Sequence, residues 1–512
     1  MATLHDVKFP YDRESMIART KKTPAWLHFG AGNIFRAFPC ALCERMLAEG
    51  IYDRGIIAAE GFDGEIIERI YAPYDNVSLL VTLHGDGHVT KSPIGSVAES
   101  MVVGARIDRL REIFAAQSLC MVSFTITEKG YAIPSVIGDL ESEPSAAKSF
   151  IGQLTYLLYH RFVSGAYPIS LLSMDNCSGN GDKLKAVVMA YAQGWEKNGL
   201  LPHGFIEYLS DENRVAFPCS MIDKITPRPD ARVAKMLNDE GFTDTETIVT
   251  SKSTYIAPFV NAEAPQYLIV EDKFPAGRPP LDKVGVIFTD RETVAKTERM
   301  KVSTCLNPLH TALAVFGCLL GYTLISEEMK DADLCRLVNR LGYVEGLPVV
   351  TDPGIISPKD FIDEVVNVRL PNPFMPDAPQ RIATDTSQKL GVRFGETVKE
   401  YIARGLDMDT LIAVPLVYAC WCRYLLAVDD DGNTFTPSTD PLFAECSAYL
   451  DTVKLGDRLD ADAARDLLRP ILSDVRIFGY DVTETVLFGR VAEYFADMVS
   501  GTGAVRAALH KV

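Results

Sequence analysis

Short β-branched and apolar runs alternate with amphipathic stretches along the first half of the chain. Trp26–Gly30, Gly55–Glu60, Ser78–Leu83, Leu119–Thr127 and Pro168–Met174 read as strands, and helical periodicity separates several of them. This is the rhythm of βαβ units, which build a parallel, doubly wound sheet. Tyr267–Glu271 and Val284–Phe288 read as later strands, joined through the loop Phe274-Pro-Ala-Gly-Arg-Pro-Pro280. From about residue 291 the period becomes helical. Arg291–Met300, Pro308–Tyr322, Lys330–Leu341, Pro358–Val368, Glu396–Arg404, Thr410–Val428, Leu442–Leu450, Ala461–Leu468 and Glu484–Val499 all carry it. The expected architecture is an α/β domain over residues 1–288 and an all-α domain over residues 289–512. The proline-rich stretch Pro371–Pro379 is the largest irregular segment of the second half.

A length of 512 residues exceeds what one core usually serves, and 47% apolar residues suffice for more than one. No run approaches the ~20 uninterrupted apolar residues of a membrane helix; the longest, Ala312–Leu324, reads as a buried helix. Asp6, Asp12 and Glu14 occupy an N-terminal stretch with no apolar signal core. With 51 basic and 68 acidic residues the net charge is −17, which argues against nucleic acid or an anionic membrane as partner. A local basic pocket could still hold an anionic small molecule. Eleven cysteines, an odd and scattered set, suit a reducing cytoplasm. Cys40 and Cys43 form a CxxC without the second pair or the histidines that zinc needs, and read as buried thiols. No metal site is expected.

Candidate chemistry begins at Leu27-His-Phe-Gly30-Ala-Gly32-Asn33-Ile34-Phe35-Arg36, where a strand runs into a Gly-x-Gly turn and a helix. Gly30 permits the tight turn, and Gly32 lets the backbone approach a pyrophosphate at the helix start. Phe35 stands where the usual third glycine would be. The next strand ends at Glu60, 28 residues past Gly32. An acid there accepts from an adenosine ribose and repels a 2′-phosphate, favouring NAD over NADP. Asp63 is a rival for that role. Thr127 and Glu128, in Ser123-Phe-Thr-Ile-Thr-Glu-Lys-Gly-Tyr131, follow a strand end where cofactor contacts belong. Two further clusters are Ser173-Met-Asp-Asn176-Cys-Ser-Gly-Asn180 and Lys301-Val-Ser-Thr-Cys-Leu-Asn307-Pro-Leu-His310. Hydride reduction of a carbonyl makes an alkoxide, which asparagine amides can stabilise and a buried lysine can protonate. Asn307 and His310 share a helix face by their spacing, as do Glu298 and Lys301.

These segments together resemble the mannitol dehydrogenase family of polyol-specific long-chain dehydrogenases. The resemblance runs through nearly the whole chain. It includes Phe217-Pro-Cys-Ser-Met-Ile-Asp-Lys-Ile-Thr-Pro227, Val270-Glu-Asp-Lys-Phe274, Glu298-Arg-Met-Lys301, Leu306-Asn-Pro-Leu-His310 and Arg381-Ile-Ala-Thr-Asp-Thr-Ser-Gln-Lys389. It implies a Rossmann-type NAD-binding domain, a helical domain, and a metal-free site between them. Gly30, Gly32, Asn33, Ile34, Arg36, Glu60, Thr127 and Glu128 are the expected cofactor contacts. Lys301 is the implied general acid/base, with Glu298 on its proton path. Asn176 and Asn307 would stabilise the alkoxide, and His310 would orient the substrate oxygens. Arg381 and Lys389, with Arg393 nearby, would face hydroxyls or an acid group.

Two departures stand out. The family usually has a five-residue step from the lysine to the following asparagine, whereas Lys301 to Asn307 is six. A straight helix would turn the two apart at roughly 100° per residue, so a break or a one-residue π-bulge is expected between Val302 and Leu306. Gly391 stands where relatives often carry proline. Family substrates include polyols and sugar acids. The cations Arg381, Lys389 and Arg393 favour a sugar acid, and fructuronate reduction to mannonate is the first expectation. Mannitol 2-dehydrogenase and tagaturonate reductase are the alternatives. An inactive NAD-binding sensor would have lost the lysine or the asparagines, and a metal-dependent isomerase would need clustered ligands. The expected protein is a cytoplasmic monomer or weak homo-oligomer acting on a small molecule.

Overall fold

A computed structural model describes residues 2–126, 128–131 and 139–512. The chain separates into two compact units, residues 1–83 with 88–295, and residues 84–87 with 296–512. The first unit carries β1 (Trp26–Phe29), β2 (Ile56–Glu60), β3 (Ser78–Leu83), β4 (Val89–Ile94), β5 (Val97–Val102), β6 (Met121–Phe124), β7 (Ile169–Ser173), β8 (Val215–Ala216) and β9 (Ser220–Asp223). It continues with β10 (Ile248–Val249), β11 (Tyr255–Ile256), β12 (Phe259–Glu263), β13 (Tyr267–Glu271) and β14 (Ile287–Thr289).

The main sheet has the order β5-β2-β1-β6-β7-β8, all parallel. Connectivity reverses between β1 and β6, and ligands of open α/β sheets bind beyond the strand ends at such a switch point. Both faces are covered, so the inner strands β1, β2, β6 and β7 are buried throughout. Successive residues alternate between two cores: Trp26, Ile56, Ala58 and Met121 on one face, Leu27, Ile57, Ala59 and Val122 on the other. The paired Cys40 and Cys43 thiols are fully buried on the first face, and burial pushes both well above the usual thiol range.

One strand sits elsewhere than its pattern suggested. Ser78–Leu83 is not part of the doubly wound sheet; it is the middle of a three-stranded sheet, parallel to β12 and antiparallel to β4. Gly87, with φ of 91°, helps turn this hairpin. The third main-sheet position falls to Val97–Val102, whose Glu99 and Ser100 hide it from an apolar scan. Similarly, Gly285 adopts φ of 95° after a 3-10 turn at Leu281–Val284, which delays the last strand to Ile287–Thr289.

The second unit is helical. Ala413–Tyr424 is buried on all sides and packs against Asn307–Leu319 and Leu487–Val499. The continuous helical run Arg291–Leu319 is apolar, with mean hydropathy 1.3 in its richest window, and 83% of that window is buried inside the protein. Four π turns interrupt the helices of this unit: Lys301–Cys305, Arg340–Gly346, Val365–Arg369 and Gly391–Gly395. Gly391 and Gly395 have a steric cause. A side chain at Gly395 would lie 2.0 Å from the Phe478 carbonyl oxygen, and one at Gly391 would lie 3.0 Å from the Gly479 nitrogen.

Glu345, in the second of these turns, is completely buried. Its carboxylate accepts from the N–H groups of Ile412 (2.8 Å), Ala413 (2.7 Å) and Val414 (2.9 Å), and from Arg340 Nε (3.0 Å). It thus satisfies the orphan donors at the start of the central helix, which has no capping side chain of its own. Glu345→Ala should cost about 3 kcal/mol by leaving these donors unpaired. Differential scanning calorimetry should show the second unit melting roughly 8 °C lower. An unchanged melting point would show that water replaces the carboxylate.

Candidate functional site

In the first unit the site is built around the turn after β1. Gly30 has φ of 102°, and a side chain there would come within 2.7 Å of the Thr125 carbonyl oxygen. At Gly32 nothing lies within 4 Å of where a side chain would point, so the backbone is open to a close-lying ligand. Asn33 and Ile34 start the short helix Asn33–Ala37 that follows. Phe35 fills the place of the third glycine by burying itself and stacking on His28, with ring centroids 4.0 Å apart. His28 Nδ1 lies 2.6 Å from the Ser123 hydroxyl, and burial pushes its pKa down to about 3, so the ring is neutral.

The middle residue of the turn is held at both ends. The Ala31 N–H donates to Glu60 Oε2 at 2.7 Å, and the Ala31 carbonyl accepts from the Tyr71 hydroxyl at 2.8 Å. Glu60 Oε1 accepts from the N–H groups of Phe62 (2.8 Å) and Asp63 (3.1 Å). Asp63 instead accepts from the Thr250 hydroxyl at 2.6 Å. Of the two rival acids, Glu60 is the one at the glycine turn. Arg36 is buried; its guanidinium donates to the Ala257 carbonyl (2.8 Å) and to Asn33 Oδ1 (2.9 Å), bracing the turn from inside. Thr127 and the side chain of Glu128 lie outside the described residues.

A cleft of about 470 Å³ opens beyond these strand ends, lined by Ile34, Thr125, Met174, Asp175, Asn176 and Lys224 among others. It collects the start of the helix after the glycine turn and the ends of β6, β7 and β9 at the switch point. The open backbone at Gly32, the acid at the end of β2 and this cleft fit a dinucleotide.

In the second unit Lys301 is buried, 8% exposed, at the head of the π turn Lys301–Cys305. The Leu306 N–H donates to the Lys301 carbonyl at 3.1 Å, five residues back. The expected bulge is therefore present, and it absorbs one residue, so the long step to Asn307 advances much as the usual shorter one would. Glu298 lies one turn earlier and is partly buried. Asn307 opens the next helix, and its carbonyl accepts from the Thr311 hydroxyl at 2.9 Å. Arg393, in the π turn Gly391–Gly395, donates to the same hydroxyl.

His310 Nε2 lies 2.8 Å from the Asp377 carboxylate, which also pairs with Arg381. Burial alone would raise Asp377, but His310 and Arg381 outweigh it and hold the carboxyl below its usual range. Arg381 is largely exposed. Lys389 Nζ donates to the carbonyls of Ile382 (3.2 Å) and Thr384. Burial, and then Arg393, lower Lys389 to about 8; burial lowers Arg393 to about 10. Asp377 escaped sequence reading because it sits in the proline-rich stretch Pro371–Pro379, where no periodicity marks it. Among the described residues, no three His, Cys, Asp or Glu side chains converge to hold a metal.

Comparison with known proteins matches each of the two units to a known domain. The model of the mannitol dehydrogenase Rossmann domain matches residues 24–283, and that of the mannitol dehydrogenase C-terminal domain matches residues 293–498. A D-mannonate oxidoreductase of Thermotoga maritima is 48% identical, covering 99% of this chain and 96% of its own. The Pseudomonas fluorescens mannitol 2-dehydrogenase, solved as a ternary complex with NAD and D-mannitol, is 25% identical with a TM-score of 0.71, covering 99% of this chain and 96% of that one. A substrate-free D-sorbitol dehydrogenase shares the fold with a TM-score of 0.79 at 23% identity, over 98% of this chain and 96% of that one.

Because Glu60 holds the turn itself, it cannot be exchanged simply to change cofactor preference. Glu60→Gln, which turns an acceptor into a donor beside backbone N–H groups, should weaken NADH binding about tenfold, the cost of a lost hydrogen bond of ~1.4 kcal/mol. It should not improve NADPH binding. Fluorescence titration with both nucleotides checks this, and tight NADPH binding by the variant would show that the turn stands without the carboxylate.

Proposed function

Because the chain belongs to the mannitol dehydrogenase family, we propose that it is an NAD-dependent D-mannonate oxidoreductase, interconverting D-mannonate and D-fructuronate. The observation that carries the substrate class is the 48% identity to a D-mannonate oxidoreductase across almost both whole chains. Its physical counterpart is the group of cations in the second unit: Arg381, Lys389 and Arg393 around the helix that bears Asn307 and His310. Arg381 already pairs with Asp377, so a carboxylate substrate would supply its anion to Lys389 and Arg393, and an arginine fork reads it in two bonds.

When bound, the nicotinamide cofactor supplies or accepts the hydride. The chain's own residues do the rest. Gly30 and Gly32 shape the turn, with Asn33 and Ile34 after it, and Glu60 holds it rigid. The Asn176 and Asn307 amides donate to the oxygen on which charge develops. Lys301 gives its ammonium proton to that oxygen during reduction and takes it back during oxidation, with Glu298 refilling it. His310, fixed by Asp377, orients the substrate's oxygens. The protein is placed in the cytoplasm as a monomer or weak homo-oligomer, acting on a small molecule. Its net charge of −17 speaks against nucleic acid as a partner.

NADH oxidation followed at 340 nm with fructuronate, tagaturonate and fructose in parallel tests the assignment. Fructuronate should turn over best. Preference for fructose would move the protein to the mannitol branch, and preference for tagaturonate to the altronate branch. Activity should survive treatment with a chelator, and complete loss would overturn the metal-free reading. Lys301→Ala should lower kcat about 10³-fold, as expected for loss of a general acid.

Lys389 also sets a pH dependence. Its pKa in the folded protein is depressed to about 8, so it is charged below that value and loses its charge as pH rises through it. The ratio of kcat/KM for fructuronate to that for fructose should therefore fall above about pH 8, and Lys389→Ala should flatten the fall. A ratio independent of pH would separate Lys389 from the carboxylate.

A further inference from the structure

The cofactor cleft contains a second network that the reaction above leaves without a role. Asn176 lies in the turn after β7, exposed and lining the cleft. Its neighbours are tied down on both sides. Asp175 Oδ1 accepts from the Cys177 N–H at 3.0 Å, and Asp175 Oδ2 accepts from the Tyr131 hydroxyl. A phenol has one proton, so with that proton given to Asp175 its oxygen takes the Ser173 hydroxyl, 2.8 Å away. On the other side, Asn180 Nδ2 donates to the Asp175 carbonyl at 3.2 Å and to the Ser220 hydroxyl at 3.2 Å. Asn180 Oδ1 accepts from the Ser220 N–H at 3.0 Å. The Ser220 hydroxyl closes the loop on the Ser173 carbonyl.

Tyr131 and Ser173 are buried, and so are Asn180 and Ser220. Five polar side chains thus converge on the six residues that join β7 to the helix Asn180–Lys197, and they restrict where the cleft-facing amide of Asn176 can go. We propose that Tyr131, acting through Asp175, is a positioning residue for Asn176 in carbonyl reduction. The proposal rests on the functional reading above, in which Asn176 stabilises the developing alkoxide. Such stabilisation depends on placement: donors must already point at the charge when it forms, and small displacements are costly.

The test is Tyr131→Phe, which removes one oxygen and keeps the ring, alongside Asp175→Asn. Both should fall about tenfold to a hundredfold in kcat with fructuronate, below the loss for removing a donor outright. NADH affinity and melting temperature should stay near those of the wild type, and the double variant should be little worse than either single one. The deuterium isotope effect on kcat with 4-deuterated NADH should rise, because hydride transfer becomes rate-limiting. An unchanged isotope effect with kcat within twofold of wild type would overturn the proposal. Loss of NADH binding in step with activity would also overturn it, assigning Tyr131 to the fold. A wild-type protein inactive on fructuronate, tagaturonate and fructose would sink the functional reading and this proposal with it.

Discussion

The first unit depends on one carboxylate. Glu60 ends a central strand and receives three backbone N–H groups, one from the glycine turn and two from its own loop. A carboxylate has about four acceptor positions, so these three bonds take up most of what it offers. The turn cannot hold its shape by side chains of its own, because glycine brings conformational freedom and no contacts. Glu60 from the neighbouring strand and Tyr71 from a π turn supply what it lacks. The same geometry that makes the backbone approachable therefore makes it dependent on residues outside it.

The second unit solves a different problem with a different device. Four π turns shift the register of otherwise regular helices, and Lys301 and Arg393 lie in two of them. Each inserted residue rotates everything after it, so side chains that a plain helix would send to other faces share one. The cost is looser hydrogen bonding, which surrounding burial offsets. Glu345 shows that such a turn can also do ordinary structural work, since there it delivers a carboxylate to the start of the central helix.

Much of this was legible in the sequence. Short apolar runs alternating with amphipathic stretches announced a parallel, doubly wound sheet, and the helical period after residue 291 announced the second unit. The extra residue between Lys301 and Asn307 was itself the signal for the bulge. What stayed hidden shares a cause: it depends on partners distant in sequence. Val97–Val102 looks too polar for a strand of a covered sheet until its place at the edge, beside β2, is known. Arg36 resembles a ligand contact until the Ala257 carbonyl, far along the chain, claims it. Asp377 carries no local pattern, because its pairing arises only when His310 is brought beside it.

Gly391 and Gly395 lie directly on the backbone of residues 477–479, with no side chain between. Arg393 sits between those two glycines, so its height above the helix is gauged by the backbone at the end of the short helix Val475–Phe478. Retuning such an enzyme for other substrates need not begin with the arginine. Altering the helix end at Phe478 would raise or lower the arginine as a shim does, leaving its chemistry intact. Libraries directed at that remote segment would move the guanidinium, while libraries at Arg393 would replace it.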